Sequence, residues 1–191
     1  EPGAGAVPLH QNWAVVNESK NVTFSIWIPL IDCDENNGTL EFVKQSHLCF
    51  RGVRGGYAHD SFIKIQPQIL KNHLVPVNVK AGEAIILDDS SIHFSKVNFS
   101  NEKRMAIQLI ITKSEESIIY YNVSSPDENG FIDVYKVNSK FYQNMTNWTG
   151  DLSGYKVIGK VKYYPKQFNY LEFLYKLYFK KMSKRQYKKL I

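Results

Sequence analysis

The chain has 191 residues, 43% of them apolar, enough for one domain with a real core; no apolar run approaches the ~20 residues of a membrane-spanning helix. Its net charge of +6 sits at one end, because seven Lys or Arg and no acid fall between Lys176 and Ile191 and the residues before them sum to −1. A near-neutral body without finger spacing or an aromatic-interleaved basic patch argues against nucleic acid as a partner. The basic tail reads as a solvated helix end able to touch an acidic surface.

Tyr and Phe are abundant, 12 and 11 residues, a bias toward strands. The segment 7–13 reads as a strand, which sends His10 and Asn12 to one side. Residues 17–21 are polar and turn. The stretch 22–30 alternates, with Val22, Phe24, Ile26 and Ile28 on one face and Thr23, Ser25 and Trp27 on the other, a strand whose mixed face suits a cavity lining. Residues 32–38 turn, Asn37-Gly38 supplying the positive φ, and 39–43 is a further strand.

Ser46-His47 precedes a glycine-bearing segment, 51–56. Residues 62–79, with Pro67 and Pro76, suggest a long excursion over a site, a lid or binding loop. His59 and His73 then read as surface or lid residues. Strands are expected at 84–87, 104–112, 117–123 and 131–137. From 168 to 187 the period becomes helical, with Leu171, Leu174, Tyr175 and Tyr178 as its stripe. The expected architecture is a jelly-roll type of double-sheet barrel over residues 1–165, followed by a basic amphipathic helix and tail over 166–191.

Cys33 and Cys49 lack CxxC spacing and read as free thiols. Asn-x-Ser/Thr sequons begin at Asn17, Asn21, Asn37, Asn98, Asn122, Asn144 and Asn147. They leave open a secreted glycoprotein, but an Asn-, Lys- and Ile-rich composition accounts for part of the excess, and a cytoplasmic location is expected.

The chemistry concentrates in His10, Asn12 and His93. An imidazole, a short oxygen donor two residues later and a remote imidazole have the outline of the facial triad of non-haem Fe(II) oxygenases, with an amide where the triad has a carboxylate. The plainer reading of each histidine is a packed, hydrogen-bonded residue. Asp88 and Asp89 belong to the turn before His93, and either is a candidate substitute ligand.

Leu9-His10-Gln11, Ile26-Trp27-Ile28-Pro29-Leu30, Asn37-Gly38-Thr39-Leu40, Ser46-His47 and Gly82-Glu83-Ala84-Ile85-Ile86, then His93, Asn98, Ser100 and Arg104, together resemble the phytanoyl-CoA dioxygenase family over roughly residues 1–112. The resemblance implies a mainly β, double-stranded β-helix (jelly-roll, cupin-like) fold that binds Fe(II) and 2-oxoglutarate, here without the family's opening region. It places His10 and His93 at the iron-binding histidines and Asn12 at the metal-binding aspartate. Arg104 falls at the arginine that grips the far carboxylate of 2-oxoglutarate, a task suited to a forked guanidinium; alone it would read as a salt-bridge partner. Ser95 matches a hydroxyl assisting that carboxylate, and Gln11 and Trp27 match positions flanking the cosubstrate. His47 lacks the glycine usual before the family's Ser-His pair and reads as structural.

The implied activity is hydroxylation of an unknown small molecule. The alternative is a catalytically silent relative that keeps the pocket for binding, in which Asn12→Asp restores the metal. A halogenase is disfavoured, because Asn12 fills the space a halide needs. A glycosylated secreted module requires sugar at the sequons, Asn98 included.

Overall fold

The computed structural model describes residues 3–55, 61–146, 150–164, 166–181, 183, 186, 188 and 189; His59 and the Asn147 sequon lie outside them. Seven strands build the body: β1 (Val7–His10), β2 (Thr23–Pro29), β3 (Leu40–Val43), β4 (Leu74–Pro76), β5 (Ile85–Asp88), β6 (His93–Ser95) and β7 (Ala106–Thr112). They form two antiparallel sheets, ordered β1-β6-β3-β4 and β5-β2-β7. Except between β3 and β4, the chain crosses from one sheet to the other at each step, the winding of a double-stranded β-helix. A third antiparallel sheet joins β8 (Ile119–Tyr121), β9 (Phe131–Lys136) and β10 (Lys156–Lys162). A bridge between Val16 and Ile118 ties it to the segment after β1. No helix among the described residues is long and apolar enough to cross a membrane.

The mixed face of β2 is the buried one. Thr23, Ser25 and Trp27 point inward, while Phe24, Ile26 and Ile28 are half-exposed. Across the sheet, Phe24, Ile26 and Ile28 pair with Ile111, Leu109 and Ile107 of β7, and these three are exposed, as is Ile86 of β5. A buried hydroxyl costs least where it finds partners, and the β2 serine finds several at the site described below.

Residues 62–79 do not form a lid. They fold into a 3-10 turn (Ile63–Ile65), the helix α1 (Gln66–Asn72) and β4, which pairs with β3. Phe62, Ile65 and Ile69 enter the main core beside Leu9, Phe50, Ile92, Phe168, Phe173 and Leu177. The prolines suggested a loop, but Pro67 occupies the first turn of α1, where its missing N–H costs nothing. A short helix, α2 (Ser139–Gln143), packs Phe141 against Ile118 and Tyr120.

The C-terminal helix α3 (Tyr170–Phe179) is closed at its start by a capping box between Asn169 and Glu172. It buries Phe173 and Leu177; of the expected stripe Leu174 packs partly against the core, while Leu171, Tyr175 and Tyr178 are exposed. The reason is Phe50, which stacks on Phe173 at 5.4 Å and meets Phe62 and Phe168 edge-on. His73 reinforces this docking with a 2.8 Å bond between Nε2 and the Tyr170 hydroxyl, so it is a packing residue. Leu9 and Ile92 lie in the same core immediately beside His10 and His93, so this packing holds the site.

Truncating Phe173 to Ala should cost about 3–5 kcal/mol, whereas Leu171→Ala should stay within about 0.5 kcal/mol. Urea denaturation of the two variants checks which face of α3 carries the load.

Candidate metal centre and cosubstrate site

β1 and β6 are antiparallel neighbours in which Val7 pairs with Ser95 and His10 with His93, the register shifting between the two pairs. Three residues on β1 therefore span two on β6, as at a β-bulge. A one-residue slip turns a side chain to the opposite face. Here it lets Leu9 enter the core while His10 stands against His93. The two ring centroids are 4.1 Å apart, with the rings tilted by 50°.

Each ring is oriented by its own strand. Nδ1 of His10 lies 2.8 Å from the Pro8 carbonyl and Nδ1 of His93 lies 2.9 Å from the Ser91 carbonyl. A nitrogen facing a carbonyl carries the hydrogen, so Nε2 is the nitrogen on each ring that can offer a lone pair, the arrangement typical of metal-binding histidines. His93 is buried, and burial, reinforced by the nearby His10, lowers its pKa to about 3. Its imidazole is therefore neutral.

β1 ends at His10, so Asn12 lies beyond the strand. Its Nδ2 donates to Asp89 Oδ1 at 2.8 Å and to Ser25 Oγ at 3.1 Å. Ser25 Oγ donates to the same Asp89 oxygen at 2.6 Å and accepts from Gln108 Nε2 at 3.2 Å. Both acceptors lie on the Nδ2 side of the amide, which fixes the orientation of Asn12. Its Oδ1 accepts from no group among the described residues.

Asp89 is 1% exposed. Burial raises its pKa, opposed by the hydrogen bonds from Ser25 and Asn12 and by Thr23 alongside; its Oδ2 and the Thr23 hydroxyl are left unpartnered by hydrogen-bond geometry among the described residues.

The substitute-ligand idea fails for both aspartates. Asp88 is held by Arg51 at 2.7 Å and by Ser90, and among the described residues no third His, Cys, Asp or Glu joins the two imidazoles as a metal-holding group. By chemical type, two imidazoles and an amide oxygen are donors that a divalent metal accepts, with one neutral donor in the place of an anion.

Arg104, expected to clamp a carboxylate, is half-buried and donates through Nη1 to Ser95 Oγ at 2.7 Å and through Nη2 to the Gly5 carbonyl at 3.1 Å. No carboxylate pairs with it among the described residues. Ser95 stands two residues from His93 on the same face of β6. The site is tight on the far side too: a Cβ at Gly38, whose φ is +81°, would lie 2.5 Å from the Lys96 carbonyl and 3.4 Å from Arg104 Nη1.

The other two expected positions are more firmly engaged in the scaffold. Gln11 Nε2 ties to the Phe50 and Ser90 carbonyls at 2.8 and 2.5 Å. Trp27 packs with Cys33, Leu40, Val79 and Leu87. Cys33 and Cys49 are free thiols. Asn98 is 1% exposed, its amide bonded to the Glu102 carbonyl and the Ser100 hydroxyl, so this fold leaves no room for sugar there.

Sequence reasoning missed two features. A buried ion pair joins Arg54 to Glu18, with Nη2–Oε1 at 2.6 Å, and Arg54 Nε also holds the Asn12 carbonyl at 2.8 Å. A cavity of about 550 Å³ opens beside His10 and Gln11, walled by Trp13, Phe50 and Phe62 and by Lys162, Lys166 and Lys176. Neither gives a local sequence signal, because the partners lie far apart in the chain.

The interleaved strands and the paired imidazoles define a double-stranded β-helix of oxygenase type. The family model for phytanoyl-CoA dioxygenase (PhyH) matches residues 1–106, and the chain belongs to that family. It is 30% identical over 127 residues to a phytanoyl-CoA dioxygenase domain-containing protein 1 homolog of Dictyostelium discoideum, covering 62% of this chain and 44% of the relative. It is 31% identical over 120 residues to a phytanoyl-CoA dioxygenase of Arabidopsis thaliana, covering 60% and 42%. The chain thus spans less than half the length of these relatives. Among solved structures it is similar to the α-ketoglutarate-dependent carbocyclase SnoK from nogalamycin biosynthesis, at 23% identity, a TM-score of 0.47 and coverage of 58% and 44%. Another is EvdO2 from Micromonospora carbonacea complexed with 2-oxoglutarate, at 20% identity, a TM-score of 0.45 and coverage of 59% and 48%.

A His93 pKa depressed to about 3 from 6.5 means the unfolded chain binds the proton first as pH falls. The stability is complete above about pH 6.5 and drains away toward pH 3, by up to about 1.4 kcal/mol per unit. Denaturation midpoints of the metal-free protein between pH 7 and 4 should fall more steeply than those of His93→Gln.

Proposed function

We propose that this chain is the core of an Fe(II)- and 2-oxoglutarate-dependent dioxygenase that hydroxylates a small molecule. The observation carrying the reading is the register that sets His10 against His93 with Asn12 two residues on. Iron bound there, with 2-oxoglutarate and oxygen, supplies the power to oxidise an unactivated C–H bond. His10 and His93 offer Nε2 to the metal and Asn12 offers Oδ1. Arg104 and Ser95, already hydrogen-bonded to each other, present a guanidinium and a hydroxyl to the far carboxylate of 2-oxoglutarate.

The substrate takes the cavity beside His10. Its aromatic wall suits an apolar body. Lys176 is half-buried, with its ammonium 5.3 Å from the Phe50 ring centre, and Lys162 and Lys166 stand on the same wall. An acidic group on the substrate matches that wall. A second reading, a binding protein without turnover, draws on Asn12, since a neutral donor in place of an anion weakens the metal.

Anaerobic addition of Fe(II) and 2-oxoglutarate should produce a visible charge-transfer band, and oxygen should then release succinate. His93→Ala should abolish both. Arg104→Met should leave metal binding intact and raise the 2-oxoglutarate requirement roughly 10–100-fold, the loss of a charge-assisted contact. A band without succinate favours the binding protein; no band in the wild type rejects the oxygenase.

A further inference from the structure

We infer that the negative charge of this metal centre has been moved one hydrogen bond outward, onto Asp89, which serves as a positioning residue for Asn12; the inference rests on the reading of His10, Asn12 and His93 as the metal ligands. Asp89 Oδ1 accepts from Asn12 Nδ2 at 2.8 Å and from Ser25 Oγ at 2.6 Å. Asp89 is 1% exposed, and no cation pairs with it among the described residues. Burying an unpaired carboxylate is costly, and two neutral hydrogen bonds offset only part of that cost. A divalent metal on the far side of Asn12 supplies the missing positive charge.

The geometry also gives the amide what it lacks as a ligand. An N–H bonded to a carboxylate pushes electron density toward the amide oxygen, and the two acceptors on the Nδ2 side hold that oxygen in one direction. Ser25, fixed by Gln108, holds the same carboxylate oxygen alongside Asn12. Carboxylate and amide have in effect exchanged shells.

This arrangement changes what Asn12→Asp is expected to do. Alone, it sets one buried carboxyl against another at hydrogen-bond distance, where the two either repel or must take up a proton, and so it does not restore a normal site. Asn12→Asp combined with Asp89→Asn rebuilds the same contact with its direction reversed.

The test is Co(II) titration of the full chain, followed by its visible absorption, with thermal midpoints of each metal-free protein. Asp89→Asn should weaken Co(II) binding about 10–100-fold, as loss of an outer partner of a metal ligand does. Asn12→Asp alone should lower the metal-free midpoint. The double variant should regain that midpoint and bind Co(II) at least as tightly as the wild type. The non-additivity of this cycle isolates the Asn12–Asp89 contact from any general loss of folding.

Wild-type binding that disappears in His93→Ala but is unchanged within twofold in Asp89→Asn overturns this inference and leaves the metal site standing. Equal midpoints and affinities for Asn12→Asp and the double variant overturn it too. No Co(II) binding by the wild type removes the metal site, and this inference with it.

Discussion

The structure turns on the irregular pairing of two short strands. β1 and β6 are separated by most of the body, yet their register decides which residues meet at its centre. A regular antiparallel pair running on from Val7 and Ser95 would set Leu9 opposite His93. The extra residue on β1 instead sends Leu9 into the aromatic core and His10 toward the imidazole opposite. The candidate ligand His10 and the core residue Leu9 are therefore placed by one backbone feature. The alternation that makes it costly to misplace Leu9 also makes it costly to misplace His10.

Fastening that region requires more than a short ladder. Arg51 reaches Asp88, next to Asp89, while Arg54 binds both Glu18 and the carbonyl of Asn12. Gly52 N–H adds a 2.7 Å bond to Glu18. One segment, 51–54, thus pins the chain on either side of the candidate ligands. Buried ion pairs of this kind contribute little net stability compared with apolar replacements, but breaking one leaves an uncompensated charge. They reward a single arrangement of the loops, which is what a site built from non-local residues needs.

Much of the barrel was legible in the sequence, because alternation survives in the strands that matter. The segments 22–30, 39–43, 84–87 and 104–112 all became strands, and Gly38 took the positive φ its turn demanded. The candidate site was legible as a set of residues, and the structure brings His10 to His93 and Arg104 to Ser95. What could not be read were choices settled by tertiary partners. Proline at 67 looks like a breaker until it is seen at a helix start. α3 offers aromatic or aliphatic residues on nearly every side, so its period alone did not choose a face; Phe50 did. β10 was missed because Gly159 interrupts a strand whose lysines and apolar residues are mostly exposed. The link between Asn12 and Asp89 joins residues 77 apart, and no local pattern announces it.

The two sides of the candidate site come from different parts of the chain. The imidazoles, the amide, Ser95 and Arg104 all fall within the residues that match the family, 1–106. The cationic wall of the cavity comes from Lys162, Lys166 and Lys176, beyond that match. Cation–aromatic contacts hold it in place, with Lys166 lying 4.9 Å and Lys176 lying 5.1 Å from the Phe168 ring centre. Phe168 and Phe173 also lock α3 to the core, so the elements that complete the hydrophobic core deliver the cations that wall the cavity. The cationic wall is thus set by residues after the family match, while the candidate ligands stand on the barrel within it, so wall and ligands can be altered separately.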